Sequence, residues 1–235
     1  NFGNWDVIFH IAALPRIQYS MQNPYEVSMA NVIGTQNVLE VARKTGTKVV
    51  YAGSSSFYAD PLKSPYAFSK WVGEEYCKMY NIIWKVPVAI TRFFNVYGTR
   101  HDRDADYPTL IAAFEKCRLE KKPLIIYGDG SKRRDFTHVD DIVSGLVAAS
   151  HGEWQGDIFN LGRGKNHSVK EVAEMFGAIE GNNDVTVIYR ADRPGEAQET
   201  LADLEETERK LKWSPIRELP SYVHIFLDSL KRSGK

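Results

Sequence analysis

Short apolar runs alternate along this chain with stretches of helical periodicity, and that alternation restricts the fold more than any other feature. Asp6-Val7-Ile8-Phe9-His10-Ile11 is too short for a helix and enters Ala12-Ala13, so it reads as a buried strand. From about Tyr25 to Lys44, Val27, Val32, Val38, Leu39, Val41 and Ala42 recur at helical spacing, and Gly46 follows a basic last turn as a cap. Lys48-Val49-Val50-Tyr51-Ala52 is a second strand. A helix over about Pro65 to Tyr80, a strand over Val88 to Phe93, a helix over Pro108 to Glu120 and a strand over Leu124 to Tyr127 continue the series. Strands joined through helices need crossover connections, which are right-handed, so the pattern predicts an α/β fold with a mostly parallel sheet covered on both faces.

Beyond Asp135 the spacing loosens. Helices are expected near Val139 to Ala149, Ser168 to about Ile179, Leu204 to Leu211 and Ser221 to Leu230, with strands at Ile158 to Leu161 and Val185 to Tyr189. Ser168 with Glu171 three residues on is a capping-box pattern. The 235 residues, 43% of them hydrophobic, suffice for one sizeable core or a core with an appended lobe. Thirty basic residues balance thirty acidic ones, so no global field recruits nucleic acid or an anionic membrane, and any phosphate site must be made locally. Neither Cys77 nor Cys117 has disulfide or zinc spacing, none of the six histidines has metal-ligand spacing, and no apolar run reaches the length of a membrane span. A reduced, cytoplasmic setting without membrane, nucleic-acid or metal partners is the expectation.

The chemistry-bearing stretch is Ser64-Pro65-Tyr66-Ala67-Phe68-Ser69-Lys70, where a tyrosine and a lysine four apart share one face at the start of a helix. A phenol titrates near pH 10, so it acts as a base at neutral pH only where positive charge stabilises the phenolate. That spacing alone recurs in many solvated helices. Its context is rarer: strand Lys48 to Ala52 runs into Gly53-Ser54-Ser55-Ser56, which puts hydroxyls at the carboxyl end of a central strand, where open parallel sheets bind ligands.

With these segments in that order, the chain resembles the extended short-chain dehydrogenase/reductase family, and within it the nucleotide-sugar epimerases. Further matches are Phe9-His10-Ile11-Ala12-Ala13, Asn31-Val32-Ile33-Gly34-Thr35, Arg92 to Gly98, Arg133 to Asp141, Arg193-Pro194-Gly195-Glu196 and Leu211 to Pro215. The resemblance implies a Rossmann-like doubly wound domain over residues 1–130 with parts of 131–165, interleaved with a small substrate lobe over about 130–235. It implies NAD as cofactor, held by Ile11, Ala12, Ala13, Asn31, Tyr66, Lys70 and Phe93. Tyr66 would take a proton from a sugar hydroxyl, Lys70 would hold the nicotinamide ribose and lower the phenol's pKa, and Ser54 would bond the reacting oxygen. Asn95, Leu110, Ile125, Arg134, Arg193 and Glu196 would bind a UDP-sugar; Leu110 and Ile125 are equally explained as core. His138 reads as a structural histidine.

Ser55 and Ser56 stand where dehydratases of this group carry Asp-Glu, which argues for epimerisation at C4, with UDP-glucose and UDP-galactose leading. A UDP-glucuronate epimerase or decarboxylase and a non-catalytic nucleotide-binding homologue are the competing readings. The resemblance also implies a homodimer formed through the Tyr66 helix and the preceding one, with Trp71, Tyr76 and Val38 as outer positions. The family's opening strand, glycine-rich turn and helix, roughly 60 residues, have no match here, so the chain is expected to continue upstream of Asn1. A further segment is expected between Asp60 and Pro61, where relatives carry a longer loop.

Overall fold

The computed structural model describes residues 5–178 and 184–232. β1 (Val7–His10) leads through α1 (Ile17–Gln22) and α2 (Pro24–Ser28) to a π-helical turn at Met29–Ile33 and on into α3 (Gly34–Thr45). β2 (Lys48–Ser54) is followed by two 3₁₀ turns (Ser55–Ala59 and Pro61–Lys63) and α4 (Pro65–Trp84). Then come β3 (Val88–Phe93), β4 (Val96–Tyr97), α5 (Leu110–Leu119), β5 (Leu124–Tyr127), β6 (Arg133–Asp135), β7 (Thr137–His138) and α6 (Val139–Ser150). β8 (Gln155–Leu161), β9 (Asn166–Ser168), α7 (Val169–Met175), β10 (Val187–Arg190), α8 (Glu205–Leu211) and α9 (Leu219–Arg232) complete the order.

The parallel sheet expected from the alternation is present, in the order β1-β2-β3-β8, with every pair parallel. Because side chains alternate across a strand, each strand feeds two cores. Val49, Tyr51, Val88 and Ile90 pack with Leu39 and Ala42 of α3 and Cys77 and Tyr80 of α4. Their neighbours Val50 and Ala89 turn the other way, onto Ile142, Leu146 and Ala149 of α6 with Phe159 and Leu161 of β8. A third core joins Ile111 and Phe114 of α5, Leu124 and Ile126 of β5, Val172 of α7 and Val223 of α9. It is completed by the parallel pairing of β5 with β10.

Local signals end the helices where expected. Gly46 closes α3 in the left-handed region at φ 71°. Ser168 and Glu171 form the reciprocal capping box of α7. The expected end of that helix near Ile179 falls outside the described residues; the described helix stops at Met175. Two differences from expectation have physical causes. The single helix expected over 25–44 is interrupted by the π turn, which no apolar period reveals because the extra residue is absorbed in the backbone. The helix α1 and the strands β4, β6, β7 and β9 are two to six residues long, shorter than a pattern needs to register. No described helix is long and apolar enough to cross a membrane.

Candidate active site

Ser54 is the last residue of β2, and its Oγ accepts hydrogen bonds from the Ser56 amide (3.2 Å) and hydroxyl (2.9 Å). The chain then turns through Asp60, whose carboxylate caps the second 3₁₀ turn, to Ser64, which caps α4 by accepting from the Ala67 amide at 3.1 Å. Pro65 occupies the first helical turn, where its missing N–H costs nothing. This entry brings Tyr66 back over the end of β2, and its hydroxyl donates to Ser54 Oγ at 3.4 Å. One turn later, Lys70 is 5% exposed, with Nζ 4.6 Å from the centre of the Tyr51 ring. Among the described residues, no hydrogen-bond acceptor engages that ammonium.

These side chains line a cavity of about 800 Å³. Of the residues singled out by sequence, Ile11, Ala13, Ser54, Tyr66, Lys70, Phe93, Asn95, Leu110, Ile125, Arg134, Arg193 and Glu196 line it, whereas Ala12 and Asn31 do not. Asn31 sits buried in the π turn. Its amide donates to the Leu14 carbonyl (3.1 Å) and the Ser69 hydroxyl (3.0 Å), and its carbonyl accepts from the Leu14 amide (2.7 Å). It therefore ties the segment after β1 to α4. Asn95, at φ 23°, donates to the Asp135 carbonyl at 2.9 Å and to Thr200 at 3.3 Å, joining the β3–β4 link to the end of β6 and the Thr200 segment. His138 packs edge-on against Tyr97 and Tyr222.

A cationic cluster occupies another part of the lining. Arg134 donates to the Ala197 carbonyl at 2.7 Å and lies 3.6 Å from Glu196, and the Arg193 guanidinium stacks 3.6 Å over the Tyr127 ring. Sequence reasoning missed Lys132, which is 8% exposed, pairs with Asp192 and lies 3.7 Å from Glu196. It also missed Arg16 and Tyr127. For Lys132 a signal was available, since it directly precedes Arg133-Arg134; Arg16 has none beyond its closeness to Ala12-Ala13.

Burial governs the titration of the site. It pushes the Lys70 ammonium down to about 8, against the pull of Glu74. Burial also raises the Tyr66 phenol, while the bond to Ser54 and the charge of Arg16 act in the opposite direction. Lys70, expected to lower the phenol, lies on the same helix with its Nζ 4.6 Å from the centre of the Tyr51 ring. His10 is held down to about 4, by burial first and Lys70 second, so it is neutral and shares a 2.9 Å bond with Thr35.

A lysine whose folded pKa lies below its unfolded value is destabilising wherever both states are charged. The penalty fades as pH rises from about 8 towards 10.5. Lys70→Met should therefore stabilise the fold at pH 7 by about 1–3 kcal/mol, with the gain disappearing above the unfolded pKa, while ligand turnover is lost. Denaturant melts of both proteins across that pH range measure it.

Known proteins resemble this chain over most of its length. The family model described as NAD dependent epimerase/dehydratase family matches residues 2–162. A putative UDP-glucose 4-epimerase of Methanocaldococcus jannaschii is 32% identical over 249 aligned positions, which span 100% of this chain and 80% of that protein. A UDP-glucuronate 4-epimerase of Thermodesulfobacterium geofontis is 32% identical, over 88% of this chain and 67% of its own. Among solved structures, the UDP-glucuronic acid 4-epimerase of Bacillus cereus, in complex with UDP-glucuronic acid and NAD, superposes with a TM-score of 0.85 at 30% identity. The match covers 97% of this chain and 76% of that one. With the parallel sheet, the Ser54–Tyr66–Lys70 grouping and a family match over most of its length, this chain belongs to the NAD dependent epimerase/dehydratase family.

Proposed function

We propose that this protein epimerises a UDP-hexose at C4, with UDP-glucose and UDP-galactose as the leading pair, using Tyr66, Ser54 and Lys70. The reading is carried by one observation: a tyrosine hydrogen-bonded to a strand-end serine, with a buried lysine one turn on, shares a single cavity with Lys132, Arg134 and Arg193. Tyr66 takes the proton of the sugar hydroxyl and later returns it. Ser54, whose Oγ lies within hydrogen-bond distance of the Ser56 amide and hydroxyl and of the Tyr66 hydroxyl, donates its proton to the sugar oxygen once Tyr66 turns to the substrate. The guanidinium groups of Arg134 and Arg193 bind diphosphate oxygens, with Asn95 beside them, while Glu196 takes the nucleotide ribose and Leu110 and Ile125 flank the base.

The residues suit NAD. Lys70 presents a buried ammonium with unengaged donors, the complement of a ribose diol, and Ile11, Ala13 and Phe93 supply apolar walls beside it. NAD, when bound, accepts a hydride from the sugar carbon and returns it. Asn31 acts one step back, by holding the segment from Leu14 against α4. The sheet and its two covering cores then form the cofactor side, and the third core with β6 and the Arg193 loop forms the substrate lobe. A homodimer through α4 and α2–α3 accounts for the exposed Phe68, Trp84, Tyr25 and Met29.

The test is product analysis. With NAD and UDP-glucose, NMR of the anomeric proton should report UDP-galactose appearing until the two forms equilibrate. An epimer formed only from UDP-glucuronate moves the substrate to a uronate, carbon dioxide release from it indicates a decarboxylase, and UDP binding without turnover indicates a binding protein.

A further inference from the structure

We propose that Lys132 is a positioning residue of the nucleotide site, clipping both ends of the turn Asp192-Arg193-Pro194-Gly195-Glu196 so that Arg193 and Glu196 are held at the cavity wall for a nucleoside diphosphate. The inference rests on the reading above that those two residues bind the nucleotide. Lys132 leads directly into β6, where side chains alternate in direction. Lys132 and Arg134 accordingly line the cavity, whereas Arg133 between them turns away to Asn166 and Glu171. The Lys132 side chain is 9% exposed; its ammonium bonds the Asp192 carboxylate and lies 3.7 Å from that of Glu196. Asp192 Oδ1, the oxygen that the lysine engages, also accepts the Arg193 amide at 2.7 Å. One cation thus engages the carboxylate that starts the turn and the carboxylate that ends it.

The turn has little else to hold it. Upstream, the backbone is tied as far as Arg190, whose carbonyl accepts from the Gly128 amide at 2.9 Å. Downstream, the ties resume at Gln198, whose carbonyl accepts from the Arg133 amide at 3.0 Å. Among the described residues, no backbone–backbone hydrogen bond joins the stretch between them to another segment, and Pro194 has no N–H to offer. Side chains hold it instead. Gln18 of α1 donates to the Pro194 carbonyl at 3.0 Å in an exposed bond, and Arg134 donates to the Ala197 carbonyl at 2.7 Å, past the end of the turn. Gly195, at φ 79°, lets the turn approach the Lys63 carbonyl just before the Tyr66 helix, where a Cβ would come within 3.1 Å. Lys132 is the buried member of this set. An ammonium so enclosed is stable only with its carboxylates in place, so the lysine and the path of the turn are set together. Arg193 follows from that path, with its amide on Asp192 and its guanidinium on the Tyr127 ring.

Calorimetric titration with UDP reads the effect on binding, and hydrogen exchange of the peptide spanning residues 191–197 reads the turn without ligand. Lys132→Met should weaken UDP binding about tenfold or more and speed that exchange, and Lys132→Arg should restore most of both. In turnover the loss should fall on KM, with kcat within about threefold of the parent. Because the lysine acts through Asp192, Asp192→Asn should weaken binding as well, and the double variant should bind no more weakly than Lys132→Met alone. Tighter binding in Asp192→Asn overturns the proposal, since that substitution would free a lysine that touched the diphosphate itself. Unchanged binding or unchanged exchange in Lys132→Met also overturns it, and Lys132→Gln serves should the methionine variant fail to fold. Arg193→Ala is the control on the underlying reading. UDP binding lost in Arg193→Ala but kept in Lys132→Met removes the clip and leaves the nucleotide site. Binding kept in Arg193→Ala removes Arg193 from the nucleotide site, while the exchange rates still decide the clip, so the two failures are distinguishable.

Discussion

Tyr66→Phe is expected to lower kcat by about a hundred- to ten-thousand-fold while leaving the fold intact, the range that loss of a positioned acid–base group produces. The substitution removes one oxygen. Among the described residues that oxygen makes one hydrogen bond, the 3.4 Å bond to Ser54, long enough that its loss costs little stability. The phenylalanine ring can keep the same packing at the head of α4, and the melting curve should shift by no more than a degree or two. KM should change little, because the groups proposed for the diphosphate, Arg134 and Arg193, are held by the Ala197 carbonyl and the Tyr127 ring and not by Tyr66. Single-turnover measurements on the matched pair of proteins decide the matter: turnover within tenfold of the parent removes Tyr66 from the mechanism.

The second large effect is on stability. Arg92, at the end of β3, reaches Glu74 of α4 through bonds of 3.1 Å (Nε to Oε1) and 2.6 Å (Nη2 to Oε2), and the two residues are 4% and 1% exposed. The guanidinium also stacks 3.6 Å over Phe57 and donates to the Tyr58 hydroxyl at 3.0 Å, which in turn donates to Asn160. Gly53 makes room for the carboxylate, since a Cβ there would come within 2.8 Å of Glu74 Oε1. Arg92→Met leaves Glu74 charged, buried and unpaired, and should destabilise the protein by about 3–5 kcal/mol. The double variant Arg92→Met/Glu74→Leu should recover most of that loss, because an apolar pair of similar volume needs no compensation. Urea melts of the parent, the two singles and the double close the cycle; a double variant as weak as Arg92→Met alone would refute the buried-charge argument.

This pair also bears on catalysis. Phe57 and Tyr58 belong to the turn that follows Ser54, so the guanidinium beneath them braces the serine that Tyr66 contacts. Glu74 lies one turn beyond Lys70 and is the leading influence keeping that ammonium charged against burial. The recovered stability of the double variant should therefore not bring turnover back with it.

Much of this architecture could be read from the sequence, because the signals are local. Val49-Val50-Tyr51 is a strand wherever it sits, and the period of two by which it serves two cores is a property of the extended chain. The Ser168–Glu171 capping box and the Gly46 cap need only neighbours in sequence. Tyr66 and Lys70 share a helix face because four residues make about one turn.

What only the tertiary structure decided is the standing of single charges and amides whose partners are remote. Arg16 meets a carbonyl 91 residues away, Lys132 an aspartate 60 residues away, and Arg92 a glutamate 18 residues back. Whether such a group is a solvated surface charge or a buried ion depends on desolvation and on the carboxylates and rings brought against it, and neither is written in residue type or spacing. The sequence by itself thus determined the sheet and its helices, and it singled out Ser54, Tyr66 and Lys70, which line one cavity in the folded chain. The folded chain alone determined the setting of the nearby cations, because their partners are remote in sequence: Lys70 lies against the Tyr51 ring and Arg16 bonds the Tyr107 carbonyl.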